Sequence, residues 1–101
     1  MFALDVSYND DTARLFDRAL LTYGRQSQLG KVQEECGELV AAIGQEGNGK
    51  ISELEVCSEI ADVFITALQA ARIYGEDMVK QQVLKKLNKF KLAVDEDSMW
   101  D

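Results

Sequence analysis

The chain has 101 residues, 47% hydrophobic and 29% charged, with 18 acidic against 11 basic side chains and a net charge of −7. A domain of that size buries a modest core, so self-association is an expected aid to stability. The acidic balance argues against a nucleic-acid polymer as partner, because that binding needs a basic surface to displace counterions. A free nucleotide is not excluded, since its phosphates can arrive already paired with a divalent cation. No apolar run nears the roughly 18 residues of a membrane span. The N-terminus also lacks the basic start and apolar stretch of a signal peptide. Residues 1–101 therefore read as a single cytoplasmic domain. Proline and histidine are both absent. Helices can run unbroken, His-based triads are excluded, and any metal would be held by oxygen, which points to Mg²⁺ or Mn²⁺.

In chain order, a first helix is expected from Asn9, Asp10 or Asp11, all competent N-caps, to Tyr23, with Gly24 ending it. Leu15, Phe16, Ala19, Leu20 and Tyr23 give it an apolar stripe. The second helix runs from about Ser27 to Ile43. Its expected core face is Leu29, Val32, Cys36, Leu39, Val40 and Ile43, which follow i, i+3, i+4, i+7 spacing. At about 100° per residue, Glu35 falls on the shoulder of that face, with Lys31 and Glu38 beside it and Glu34 further round. Gly37 costs about 1 kcal/mol of helix propensity relative to alanine. It reads either as a point of close helix approach or as a tolerated surface glycine. Residues 44–50 carry three glycines and read as a flexible connector. They are not a P-loop, because Ile51 stands where Ser or Thr would follow Lys50 and no strand precedes. Lys50 is nonetheless a candidate to reach a bound phosphate.

The third helix, from about Ser52 to Tyr74, is apolar around nearly its whole cylinder, which is the pattern of a buried helix. Glu55, Glu59, Asp62, Thr66 and Gln69 share one narrow polar stripe on it. Carboxylates in such surroundings need partners. Gly75 ends this helix, and a fourth begins at Glu76 or Asp77 and runs to about Ala93. Val79, Val83, Leu87 and Phe90 make its expected buried stripe. Lys80, Lys85, Lys86, Lys89 and Lys91 make it the most basic segment of an acidic chain, with Lys86 nearest the apolar edge. Cys36 and Cys57 lie in helical apolar pattern without metal-type spacing and read as buried, reduced thiols. The acidic tail carries Trp100, which either packs on a neighbouring subunit or frays.

Two acid pairs dominate this pattern. Glu35 and Glu38 are three residues apart, as are Glu59 and Asp62, so each pair stacks on one helix face. Four carboxylates brought to one point repel, and a cation is the simplest way to hold them. One or two Mg²⁺ ions there would neutralise a polyphosphate and lower the pKa of a bound water.

The pattern Glu35-x-x-Glu38, a spacer of twenty residues, and Glu59-x-x-Asp62 resembles the EXXE…EXXD signature of the MazG-like all-α nucleoside triphosphate pyrophosphohydrolases. The texts Lys31-Val-Gln-Glu-Glu-Cys-Gly-Glu-Leu-Val-Ala-Ala-Ile43 and Ser58-Glu-Ile-Ala-Asp-Val-Phe-Ile65 look like helices of that family, and the resemblance covers about residues 20–92. It implies an all-α four-helix bundle completed by oligomerisation, as a homodimer or homotetramer. It also implies hydrolysis of a nucleoside triphosphate between the α and β phosphates. Mg²⁺ would be held by Glu35, Glu38, Glu59 and Asp62. Glu34, Glu35 and Glu38 are the candidate catalytic acids, with Glu34 or a ligating glutamate accepting the proton of the attacking water. Lys31, Lys50, Lys86 and Lys89 are candidates to bind substrate phosphates. Phosphoribosyl-ATP members often carry a histidine after the second motif, and this chain has none, so a compact house-cleaning enzyme fits better. The alternative is a non-catalytic helical module that binds nucleotide or a protein partner on the same fold. Gln28, Asn88, Tyr23 and Trp100 are candidates for contact with the base.

Overall fold

The computed structural model describes residues 8–97, and all regular structure among them is helical. Four helices follow one another: α1 (Asp10–Tyr23), α2 (Arg25–Gly47), α3 (Glu53–Tyr74) and α4 (Glu76–Asp95). Their starts are the ones the capping residues dictate. Asn9 accepts a hydrogen bond from the Thr12 backbone N–H at 3.0 Å, and Ser52 accepts one from that of Glu55 at 3.2 Å. The α1/α2 and α3/α4 corners are single glycines. Gly24 has φ 88° and ψ 159°, and Gly75 has φ 134° and ψ 109°, conformations that only glycine reaches cheaply. At Gly75 a Cβ would also meet the Met78 Cε at 2.7 Å.

The α2–α3 hairpin is the structural centre, and most of the tertiary packing lies between these two helices. Helix α1 lies against both, whereas α4 packs on α3 alone among the described residues. Among the described residues, the buried hydrophobic side chains are Ala13, Phe16, Ala42, Leu68 and Ala93. The Cα radius of gyration is 15.8 Å, against about 13 Å for a compact 100-residue domain.

Several sequence expectations change here. The face of α2 turned inward carries Glu35 and Ala42, while Cys36 is exposed and Val40 and Ile43 stay largely accessible. The apolar positions of α2 are thus distributed over more than one face, and its shoulder is what α3 covers. Cys57 is exposed too, so neither thiol is buried. Leu15 and Tyr23 of α1 and Leu87 and Phe90 of α4 are also exposed. Likewise α3 is not enclosed: Ile60 is 46% exposed and Ile65 49%. No atom lies within 4 Å of a Cβ built on Gly37, so it is a surface glycine and not a point of close approach. Trp100 lies outside the described residues.

One polar network, which the sequence pattern did not suggest, ties α1, α3 and α4 together. Arg72 donates to both Asp17 oxygens at 2.9 Å and to Glu76 Oε1 at 2.7 Å. The Tyr8 hydroxyl donates to the other Glu76 oxygen. Burial, then Glu76, pushes the Tyr8 phenol up to about 12, so it remains a donor. The Arg72 hydrogen bonds hold the Asp17 carboxyl below its ordinary 3.8. The Tyr8 hydrogen bond, followed by Arg72, holds Glu76 below its ordinary 4.5.

Depressed carboxyl pKa values add stability above the ordinary values, and that stability is lost as pH falls through the folded-state ones. Arg72→Met is therefore expected to lower the melting temperature at pH 7. The two proteins should converge as pH falls below 3.8 and towards full protonation of both acids. Thermal melts across the acid range check this. An unchanged gap at the lowest pH would remove the network from the acid limb.

Candidate metal centre

The register of the α2–α3 hairpin is marked by one side-chain bridge: Gln69 Nε2 donates to Gln28 Oε1 at 2.7 Å. Seven residues inward from that bridge, two helical turns along each antiparallel strand of the pair, lie Glu35 on α2 and Asp62 on α3. Three residues further stand Glu38 and Glu59. The two sequence motifs thus face one another by the phase of their helices. A carboxylate oxygen from each of Glu35, Glu59 and Asp62 falls within 4.8 Å of the others, and the same holds for Glu34, Glu35 and Glu38. Glu35 belongs to both groups and joins them.

Glu35 is only 6% exposed. Lys31, one turn earlier on α2, places its Nζ 3.3 Å from Glu35 Oε1 and 3.5 Å from Glu34 Oε1. The second oxygen, Glu35 Oε2, and Glu59 Oε2 are the buried side-chain oxygens without a hydrogen-bond partner among the described residues. Burial raises the Glu35 carboxyl above its ordinary 4.5, the Lys31 hydrogen bond opposes it, and the charges of Glu38 and Asp62 raise it further. The same contacts, with Glu35 first, raise Lys31. Orphaned, converging carboxylate oxygens are costly without a cation and are what a hard divalent ion requires. The residues therefore fit such an ion on the chemistry of the donor set.

Thr66, the next position of the α3 stripe, is buried and turns its hydroxyl to the Asp62 and Val63 carbonyls at 2.9 and 3.2 Å. Its hydrogen is thus committed to the backbone of α3 one turn earlier. On the other side the seam opens into a polar cleft of about 200 Å³ lined by Glu38, Gln45, Ile51, Glu55 and Glu59 among others. Glu55 was legible as part of the α3 stripe, one turn before Glu59. Its convergence with Glu38 across the hairpin was not.

The lysine candidates are placed unequally. Lys31 is in the site. Lys50 is exposed in the α2–α3 connection, where its backbone N–H donates to the Gln45 carbonyl at 2.8 Å. Lys86 lines an apolar groove on α4 with Val83, Leu87 and Phe90, and Lys89 is on that same helix, exposed. Because α4 packs on α3 alone, it does not bring these two against α2. Of the base-contact candidates, Gln28 is engaged by Gln69, and Tyr23 and Asn88 are exposed.

Compared with known proteins, residues 24–91 match the family model described as the MazG nucleotide pyrophosphohydrolase domain. No curated protein and no solved structure matches the chain. The matched span contains α2, α3 and most of α4, and hence all four motif acids.

A raised carboxyl pKa means that the charged form of Glu35 opposes folding of the metal-free chain above its ordinary pKa. A bound cation reverses that sign. Mg²⁺ at about one hundred times its Kd is expected to stabilise the protein by about 2.7 kcal/mol, or roughly 10–20 °C for a domain this small. Glu35→Gln should melt no lower than the wild type without metal, yet lose the Mg²⁺-linked rise. Thermal melts of both proteins with and without Mg²⁺ decide this, and an equal rise in the variant would place the ion elsewhere.

Proposed function

The chain belongs to the MazG nucleotide pyrophosphohydrolase family, and on that premise we propose that it hydrolyses a (deoxy)nucleoside triphosphate to the monophosphate and pyrophosphate. The observation that supports this most is the buried, partnerless pair of oxygens on Glu35 and Glu59 inside a cluster of acids. Glu35, Glu38, Glu59 and Asp62 would hold the ion, with Mg²⁺ preferred because every donor is oxygen and Mn²⁺ as the substitute. When bound, the ion supplies neutralisation of phosphate oxygens and acidification of a coordinated water.

The chain's own residues account for the rest. Water attacks the α-phosphorus, the bond from that phosphorus to the α–β bridging oxygen breaks, and pyrophosphate departs with the bridging oxygen. Glu34 is on the solvent side of the cluster, its side chain 55% exposed, and it or a ligating glutamate would accept the proton of the attacking water. Lys31 bridges Glu34 and Glu35, holding both carboxylates in place. Its positive charge also favours the leaving pyrophosphate. The polar cleft beside Glu38 and Glu59 gives the polyphosphate a path to the cluster. Lys50, at the end of the connection, is the further candidate for the phosphates, and Lys86 and Lys89 would have to meet them from α4. The reading includes a homodimer or homotetramer acting in the cytoplasm on the nucleotide pool.

Purified protein is expected to release pyrophosphate from at least one member of a panel of canonical and modified nucleotides, in a Mg²⁺-dependent way. Glu38→Ala and Asp62→Ala should each reduce kcat by more than about 100-fold, beyond the loss that follows removal of a group merely supporting a metal ligand. Nucleotide binding by calorimetry without any turnover would replace the enzyme with a binding module. Neither binding nor turnover would end both readings.

A further inference from the structure

The seam between α2 and α3 changes character along its length. Every side-chain carboxylate of these two helices lies in residues 34–47 and 53–62. Residues 25–33 of α2 and 63–74 of α3 carry none, and their charged side chains are Arg25, Lys31 and Arg72. Because the hairpin is antiparallel, the two acid-free stretches lie side by side. One end of the seam therefore suits cations and the phosphates they neutralise. The other suits an uncharged, polar group.

At that second end Gln69 Nε2 donates to Gln28 Oε1 at 2.7 Å, and both glutamines are half-buried. A glutamine amide carries two N–H donors and a carbonyl with two lone pairs. The bridge uses one donor of Gln69 and one lone pair of Gln28. The amino group of Gln28 and the carbonyl of Gln69 make no hydrogen bond among the described residues, yet neither is a buried orphan, so both remain accessible to solvent. The pair thus presents one donor and one acceptor, each held on its own helix. Turning both amides over keeps a bridge and exchanges the two roles. Seven residues, about 10 Å of helix rise, separate this pair from Glu35 and Asp62. At the outer end of the same two helices, Arg25 lies over the Tyr74 ring at 4.8 Å, a flat cation–aromatic pair.

We propose that Gln28 and Gln69 together read the hydrogen-bonding edge of the substrate's nucleobase. Each nucleobase places a donor beside an acceptor on that edge, and the bridged amides offer the complement. Glutamine amides suit such paired contacts with bases. The triphosphate then lies towards the acids and the base towards the amides, with the ribose across the two turns between them. A pair built to hydrogen-bond one base leaves its own groups unmatched on another, and that mismatch is the source of discrimination. This rests on the pyrophosphohydrolase reading proposed above and names the residues that choose among nucleotides.

Gln28→Glu tests this with little change in size. Gln69 Nε2 can still donate to the new carboxylate, so the bridge survives while the free amino group of Gln28 is lost. Gln69→Glu is the mirror variant, in which Gln28 donates across the bridge instead. Full-length wild type and both variants are assayed for Mg²⁺-dependent pyrophosphate release from a panel of nucleoside triphosphates and from ribose 5-triphosphate, which has no base. The wild type should discriminate among bases. Each variant should change the ratio of kcat/KM between the best and worst bases by about 10-fold or more. The effect should vanish on ribose 5-triphosphate, and the Mg²⁺-linked rise in melting temperature should persist. An equal loss on every substrate, the baseless one included, would leave the pair a pin for helix register and overturn the proposal. So would a wild type indifferent to the base, or variants with unchanged preference. If the wild type releases no pyrophosphate at all, affinities for the same panel are compared by calorimetry, which separates loss of the enzymatic reading from loss of base readout. A wild type that binds none of the panel overturns both.

Discussion

The buried carboxylate of Glu35 is the constraint around which the α2–α3 hairpin is arranged. It sits about one-sixteenth exposed between two helices, with one oxygen on Lys31 and the other without a hydrogen-bond partner among the described residues. A hydrophobic side chain at that position would pack the hairpin at no electrostatic cost. Retaining an acid there, with Glu38, Glu59 and Asp62 around it, leaves crowded and partly orphaned carboxylate oxygens whose repulsion a bound cation would relieve. The burial that raises the Glu35 pKa in the empty hairpin is what would strengthen its hold on an ion.

That constraint explains the division of labour along α3. One face of the helix carries the polar stripe that meets α2, from Glu55 through Glu59, Asp62 and Thr66 to Gln69. The Gln28–Gln69 bridge fixes the phase of the two helices from a distance of two turns. It holds the motifs opposite one another without itself carrying charge. The opposite face is apolar and needs cover of a different kind, which a single copy of the chain provides only in part. One helix thus carries the acid seam on one side and an apolar surface on the other.

Legibility in the sequence followed the same division. Helix ends were legible because Asn9, Ser52, Gly24 and Gly75 act locally, through a cap or a φ that few residues adopt. The convergence of the acids was legible because the three-residue spacing of Glu59 and Asp62 repeats on the other helix in Glu35 and Glu38. The inward face of α2 was not. Leu29, Val32, Cys36, Leu39, Val40 and Ile43 outvoted Glu35 on hydrophobic periodicity, yet Glu35 is buried while Cys36, Val40 and Ile43 are exposed. Periodicity reports only which positions are apolar, and helix phase and crossing decide which of them a neighbour covers. The Arg72 network was invisible for a different reason: Asp17 and Arg72 are 55 residues apart, and no local pattern pairs them.

By itself, the sequence determined an all-helical chain, four helices in order with the ends set by Asn9, Gly24, Ser52 and Gly75, and the two acid pairs, because each follows from local spacing and backbone preference; α2 nonetheless runs on to Gly47, past the end expected at Ile43 and into the expected connector. The tertiary structure decided which acid is buried, which oxygens are orphaned, that Glu55 shares a cleft with Glu38, and that among the described residues α4 packs its backbone on α3 alone. Those facts depend on helix phase and crossing. Both are set by contacts between residues far apart in the chain, so no window of sequence contains them.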